Sequence, residues 1–323
     1  MTTTATLPTV NAAVLREALT GLTTTPQKSL SPWLFYDELG SQLFEEITAL
    51  PEYYLTRTER DLFTTHADEI FLELVSPVTI AELGAGSAAK TGILLRAATR
   101  FQPEVLYQPI DISPSALDEA AISLAIIPDV IVEPQVANYI TEPFSITRLP
   151  GHKVLALYIG SSIGNFTPTE ATAILKNLRH HLHSGDALLL GTDLAPSASK
   201  SVETLLSAYD DAAGVTAAFN LNILTRLNRE LNANFDLSQF AHRARWNQHY
   251  SRIEMHLESL TDQTVNIAGN RIDFAAGETI HTENSHKFTV PALKTLLTSA
   301  CFTPTRTFFS PGDSFAVTLA TAV

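Results

Sequence analysis

From about residue 77 the chain alternates short apolar runs with amphipathic stretches, and this rhythm constrains the fold more than any other feature. VTIAEL, VLYQPID, DVIVEPQVA, KVLALYI and ALLLGTDL have the length and apolar content of buried strands. Between them AAKTGILLRAAT, SPSALDEAAISLA and PTEATAILKNLRHHL carry helical periodicity. Ser113 can cap the second of these helices, and Pro114 suits its first turn. Strands and helices alternating at these lengths predict an α/β fold with a doubly wound parallel sheet.

The flanking regions follow other patterns. SPWLFYDELGSQLFEEITAL places Leu39, Leu43, Phe44, Ile47 and Leu50 at helical spacing, Pro51 interrupts it, and EYYLTRTERDLFTTHADEIFLEL resumes it. From about residue 200 the alternation stops. SVETLLSAYDDAAGVTAAFNLNILTRLNREL reads as one or two helices, and ARWNQHYSRIEMHLESL, QTVNIAG and RIDF read as antiparallel strands. The helix VPALKTLLTSA follows, and then PTRTFFS and FAVTLATA, joined by PGD, predict a hairpin at the sheet edge. The expected organisation is an α/β domain interrupted by an insertion, with the helical N-terminal region grouped with that insertion.

Composition narrows the function. The 323 residues, 45% hydrophobic and 17% charged, supply apolar material for about two domains. A net charge of -13 weighs against a nucleic-acid partner. The single cysteine, Cys301, excludes an intramolecular disulfide and a Cys-rich metal site. His180, His181 and His183 cluster near a helix end, but no Cys or carboxylate shares metal-like spacing with them, so no metal is expected. The first residues lack a basic segment followed by an apolar one, and no apolar run approaches the roughly 20 residues of a membrane helix. A soluble, cytoplasmic protein is expected.

The turn AELGAGS carries the chemistry. Gly84 and Gly86 after a strand allow a tight turn and a close ligand approach. Ala89 occupies the third position of a dinucleotide fingerprint, which tolerates it, so the motif alone leaves NAD and S-adenosylmethionine (SAM) both open. Charge separates them: Glu82 is unwelcome beside a diphosphate and suits a sulfonium and an ammonium. Asp111, ending the next strand, can accept from ribose hydroxyls of either cofactor or cap the helix after it. The C-terminal hairpin is common in class I SAM methyltransferases and foreign to typical dinucleotide domains. SAM is therefore the expected cofactor.

Several phrases together resemble one family, the histidine-specific SAM-dependent N-methyltransferases of ergothioneine biosynthesis. They are WLFYDELGSQLFEEITALPEYYLTRTE, AELGAGSAAKT, IDIS, YIGSSIGNF, AYDDAAGVTAAFN, RIEMHL and HTENSHKF, spread from about residue 33 to 288. The resemblance implies a Rossmann-like class I SAM methyltransferase domain at 61–196 and 287–323. It implies a second α+β substrate-binding domain at 8–60 and 197–286. The implied reaction is trimethylation of the L-histidine α-amine to hercynine.

Residue by residue, the resemblance implies that Gly84, Lys90 and Asp111 serve the cofactor, with Gly160 lining its site. Asn138-Tyr139 stands where the family usually has Asp-Phe near the adenine. Tyr36 and Asn165 would clamp the α-carboxylate, Tyr53 would sit near the amine, and Tyr209 would contact the amino-acid end. Glu283 and Ser285 would hold the imidazole, with Met255 packed beside it. By residue type alone, Tyr36 and Tyr53 read as core aromatics, Asn165 as a turn residue, Tyr209 and Met255 as packing, and Glu283 and Ser285 as a solvated strand face. An N-methyltransferase for tryptophan or an indole, an NAD(P) oxidoreductase and a non-catalytic SAM-binding regulator remain as alternatives. A monomer acting on a small molecule, without nucleic acid or membrane, is expected.

Overall fold

The computed structural model describes residues 11–140 and 142–323. Residues 8–10 of the expected substrate domain lie outside the described residues. The chain forms two compact units. One comprises Leu50–Leu205, Asn247–Arg252 and Asn284–Val323; the other comprises the residues up to Ala49, Leu206–Trp246 and Ile253–Glu283.

The first unit is built on the alternating region. Its strands are β1 (Val78–Leu83), β2 (Val105–Asp111), β3 (Val130–Val132), β4 (Lys153–Tyr158), β5 (Ala187–Asp193), β6 (Phe302–Phe309) and β7 (Phe315–Ala322). They lie side by side in the order β6-β7-β5-β4-β1-β2-β3, and a two-residue strand, Gln135–Val136, also pairs with β2. β1 to β5 run parallel, and β7 is antiparallel to both β5 and β6. Every residue of β1 and of β5 is buried, which explains their near-continuous apolar sequences. The expected fold class and closing hairpin are both present. The run DVIVEPQVA is not one strand, because Pro134 cannot donate to the ladder and divides it.

The helices of this unit are α1 (Tyr54–Glu73), α2 (Thr91–Ala98), α3 (Pro114–Leu124), α4 (Pro168–His180) and α5 (Val290–Ser299). Their starts follow local chemistry. Ser113 Oγ accepts from the Ala116 amide at 3.3 Å, with Pro114 in the first turn. Thr167 and Glu170 form a reciprocal capping box ahead of α4. Leu175 and Leu178 of α4 and Leu293 and Leu297 of α5 bury against Val154, Tyr158 and Phe302 of the sheet. Each such side chain contributes roughly 1.5–3 kcal/mol when fully buried. Strand order reverses between β1 and β4, so the loops after these two strands flank a crevice at the sheet's carboxyl edge.

The second unit contains the helices Ala12–Leu22, Glu38–Ala49 and Val215–Leu231. Its four-stranded sheet has the order Lys28–Ser29, Thr279–His286, Arg252–Ser259, Phe240–Asn247, beside a separate ribbon of Gln263–Ile267 with Asn270–Phe274. The expected helix in SPWLFYDELG is interrupted: Pro32–Phe35 is a 3-10 turn, and Asp37 Oδ1 then accepts from the Gly40 amide at 2.8 Å as a new helix begins. Phe35 stacks on Phe219 with ring centres 4.4 Å apart. Among the described residues no helix is long and apolar enough to cross a membrane.

Candidate active site

The glycine turn follows β1 directly. Gly84 and Gly86 have φ of +67° and +53°, a region that disfavours other residues. The Gly84 amide donates to the Ile110 carbonyl at 2.8 Å, tying the turn to β2. The Gly86 amide donates to Asp111 Oδ2 and the Ser113 amide to Asp111 Oδ1, both at 2.9 Å. Asp111 therefore organises two loops at once. Burial pushes its carboxyl up, opposed by those backbone amides. A Cβ on Gly86 would meet nothing within 4 Å, so the turn opens outward.

Glu82 is 1% exposed, and its Oε2 accepts from Tyr107 at 2.6 Å and Thr91 at 2.7 Å. Burial pushes its carboxyl up to about 7 despite these donors. Its neighbour in the lattice of charges was missed in the sequence. Glu59 of α1 is fully buried, pairs with the Lys90 ammonium, and accepts the Gly160 amide at 2.9 Å. Gly191 of β5 has no side chain to oppose it: a Cβ there would stand 2.0 Å from Glu59 Oε1. One signal was available, since Glu59 falls on the same helical stripe as Leu55, Leu62 and Phe63. Lys90 and Gly160 are thus brought together through Glu59, the last residue of the phrase WLFYDELGSQLFEEITALPEYYLTRTE, to which no role was assigned.

Tyr139 lies against the turn. A Cβ on Gly84 would sit 3.5 Å from its hydroxyl. That hydroxyl shares a 3.2 Å hydrogen bond with Tyr158, whose ring it meets edge-on. Burial pushes the Tyr139 phenol up to about 12, so it stays neutral. Asn138 Oδ1 accepts from the Ile140 amide at 3.1 Å, and its own amide donates to Glu142. The ammonium beside this turn, Lys90, is already paired with Glu59, while Asp111 and the proton-sharing Glu82 add acid next to it. This donor set fits a ligand carrying net positive charge and is hostile to a diphosphate.

Three of the expected substrate residues belong to this unit. Tyr53 is 8% exposed, and its carbonyl accepts from Arg57. Asn165 ends the 3-10 turn Ser162–Asn165 after β4. Gly164 beside it packs on the main chain of His286, where a Cβ would come within 2.9 Å of the carbonyl oxygen. Asn165 is thereby held one residue from the strand bearing Ser285. Ser285 Oγ accepts from Lys287 Nζ at 2.9 Å, and Lys287 pairs with buried Asp193 at 2.8 Å. Asp193 also receives Lys200 at 2.7 Å and the Tyr54 hydroxyl.

The other four belong to the second unit. Tyr36 meets Phe44 and Phe219 edge-on at 5.8 and 6.0 Å. The next residue on that helix, Asn220, is fully buried and was also missed. Its Nδ2 donates to His242 Nδ1 at 2.8 Å and to the His256 carbonyl at 3.1 Å, and its Oδ1 accepts from Thr282 at 2.7 Å. His242 Nε2 then donates to the Tyr209 carbonyl at 2.8 Å, and the Thr282 hydroxyl, whose hydrogen goes to Asn220, lies 3.1 Å from the Met255 carbonyl. Asn220 so fixes the backbones carrying Tyr209 and Met255 and the residue preceding Glu283. Burial lowers the His242 pKa, keeping the ring neutral as this network requires.

A sheet of this order, antiparallel only at β7, with an acid-lined glycine turn after its first strand, defines a class I SAM-dependent methyltransferase domain. The chain belongs to the histidine-specific SAM-dependent methyltransferases, whose family pattern matches residues 14–322. It is 40% identical over 311 residues to the histidine N-alpha-methyltransferase of Mycolicibacterium smegmatis, covering 95% of this chain and 94% of that one. It is 38% identical to the enzyme of the same name from Mycobacterium tuberculosis, with the same coverage. Ergothioneine biosynthesis protein 1 of Schizosaccharomyces pombe is 30% identical over 72% of this chain and 31% of its own length.

Proposed function

We propose that this enzyme transfers the methyl group of SAM three times to the α-amine of L-histidine, giving hercynine on the route to ergothioneine. The observation that carries this reading is the family match along nearly the whole chain, with 40% identity to a histidine N-alpha-methyltransferase. In this reading the unit bearing the parallel sheet holds the cofactor and the other unit supplies much of the substrate's surroundings. The expected boundaries remain 61–196 with 287–323, and 8–60 with 197–286. The enzyme works as a cytoplasmic monomer on a small molecule.

SAM, when bound, supplies an electrophilic methyl carbon on a sulfonium. Gly84 and Gly86 admit it to the turn, Asp111 accepts from its ribose, and Asn138 and Tyr139 hold the adenine edge and face. Lys90 and Gly160, both tied to Glu59, shape the opposite wall. Glu82 acts from within the network, through Thr91 and Tyr107.

Tyr36 and Asn165 hold the α-carboxylate through neutral donors, which adds no charge beside the sulfonium. Tyr53 and Tyr209 face the amine, and their rings tolerate the fixed positive charge of the product. Positioning and exclusion of water supply most of the acceleration, because the leaving thioether is neutral and needs little acid assistance. Glu283 accepts from one imidazole nitrogen and Ser285 serves the other, with Met255 packed beside the ring. An indole offers one donor and no acceptor, so this pair favours histidine over tryptophan.

Incubation with SAM and each of the 20 amino acids separately, read by mass spectrometry, tests the proposal. Histidine alone should gain three methyl groups. A better yield with tryptophan would refute the histidine reading, and SAM binding without any product would leave only a regulator.

A further inference from the structure

We propose that Glu254, His256 and His281 form a binding site for a divalent transition-metal ion, with zinc the best fit. Glu254 and His256 are two apart on the strand Arg252–Ser259 and share one face of it. His281 lies on the adjacent strand, Thr279–His286. One possible ligand atom from each of the three residues lies within 4.8 Å of the others. Ligands bound to zinc at about 2.0–2.2 Å in a tetrahedral shell are about 3.3–3.6 Å apart, so side-chain rotation that draws the atoms about 1–1.5 Å closer would close the shell.

The local chemistry already resembles that of metal ligands. His281 Nε2 stands 3.1 Å from the Glu283 carbonyl oxygen, which can only accept. Nε2 therefore carries a proton, the arrangement by which a neighbouring carbonyl orients a metal-binding imidazole. His256 Nε2 lies 3.3 Å from Glu254 Oε2. The His256 ring is 4% exposed, and its Nδ1 has no hydrogen-bond partner. The two imidazoles lie nearly parallel, 4.7 Å apart at 17°.

The donor set chooses the ion. Two imidazole nitrogens and one carboxylate are poor ligands for magnesium or calcium, which prefer all-oxygen shells. They offer no thiolate to favour copper(I). Zinc accepts this set with water in the fourth position. Neither histidine belongs to the proposed cofactor or substrate residues, and the inference does not depend on the methyltransferase reading. Because the ligands come from two neighbouring strands, the ion would cross-link them two residues from Glu283.

The test uses untagged full-length protein, stripped with chelator and titrated with zinc chloride by calorimetry. Histidine is omitted because it chelates zinc. One ion per chain and a raised melting temperature are expected. His256→Gln and, separately, the more accessible His281→Gln should each weaken binding by about 100-fold or more while SAM binding persists, which also reports that the variant is folded. His180→Gln/His183→Gln should leave zinc binding unchanged. Cobalt(II) should give the visible absorption of a low-coordinate nitrogen and oxygen site. Failure of the wild type to take up zinc, unaltered affinity in both single variants, or loss of binding in the His180/His183 variant would overturn the proposal.

Discussion

Glu82 carries a pH dependence that its neighbours make specific. Burial raises its carboxyl from the ordinary range to about 7. The folded state then binds this proton more tightly than the unfolded chain does. The corresponding stability is fully present below about pH 4.5 and is lost as pH rises toward 7. Glu82→Gln keeps the shape and has no proton to lose. Its melting temperature relative to the wild type, measured without ligand, should therefore rise between pH 5 and pH 8; a constant gap would show Glu82 ionised throughout. Two further substitutions separate the ligands. Glu283→Ala should lower kcat/KM for histidine by about 10²–10⁴-fold, mostly through KM, with SAM affinity nearly unchanged. Asp111→Ala should weaken SAM first, as read by calorimetry. Gly84, Gly86 and Asp111 were visible because each ends or follows an apolar strand. Glu59 and Asn220 end two of the quoted family phrases, yet their roles were not visible, since their partners lie far off in the chain.

The elements themselves were legible where one physical rule dominated. The central strands announced themselves as apolar runs, α3 by Ser113-Pro114, and the closing hairpin by PGD between two apolar stretches. Elements decided by tertiary contact were not. The two-residue strand Lys28–Ser29 exists because it pairs with Ile280 and His281, which no local pattern encodes. Glu254, His256 and His281 likewise converge only through strand pairing, so spacing directed attention to His180, His181 and His183 instead. The approach of the Ser162–Asn165 turn to the His286 main chain is another such contact. Gly164→Ala would force a Cβ to within 2.9 Å of that carbonyl. It should cost about 1–3 kcal/mol by thermal unfolding and raise the KM for histidine more than it weakens SAM. A melting temperature equal to the wild type would show that the two segments can part freely.

For the molecule as a whole, a few buried acids matter more than the net charge of -13. Carboxylates around the glycine turn favour a cationic cofactor over an anionic one. SAM at about 100 times its Kd should therefore stabilise the protein by about 2.7 kcal/mol, while NADH at the same concentration should leave the melting temperature where it was. Equal stabilisation by both would sink the cofactor assignment. The bond between Ser285 and Lys287 reaches further. Lys287 is anchored on Asp193, which also holds Lys200 and Tyr54, so the hydroxyl is the outermost member of a buried chain of charges. Replacing that serine with an apolar residue deprives an interior lysine of one of its acceptors. Attempts to retool this enzyme for other amino acids should therefore begin with paired changes at 285 and 287, and single-site libraries at 285 alone should return mostly poorly expressed protein.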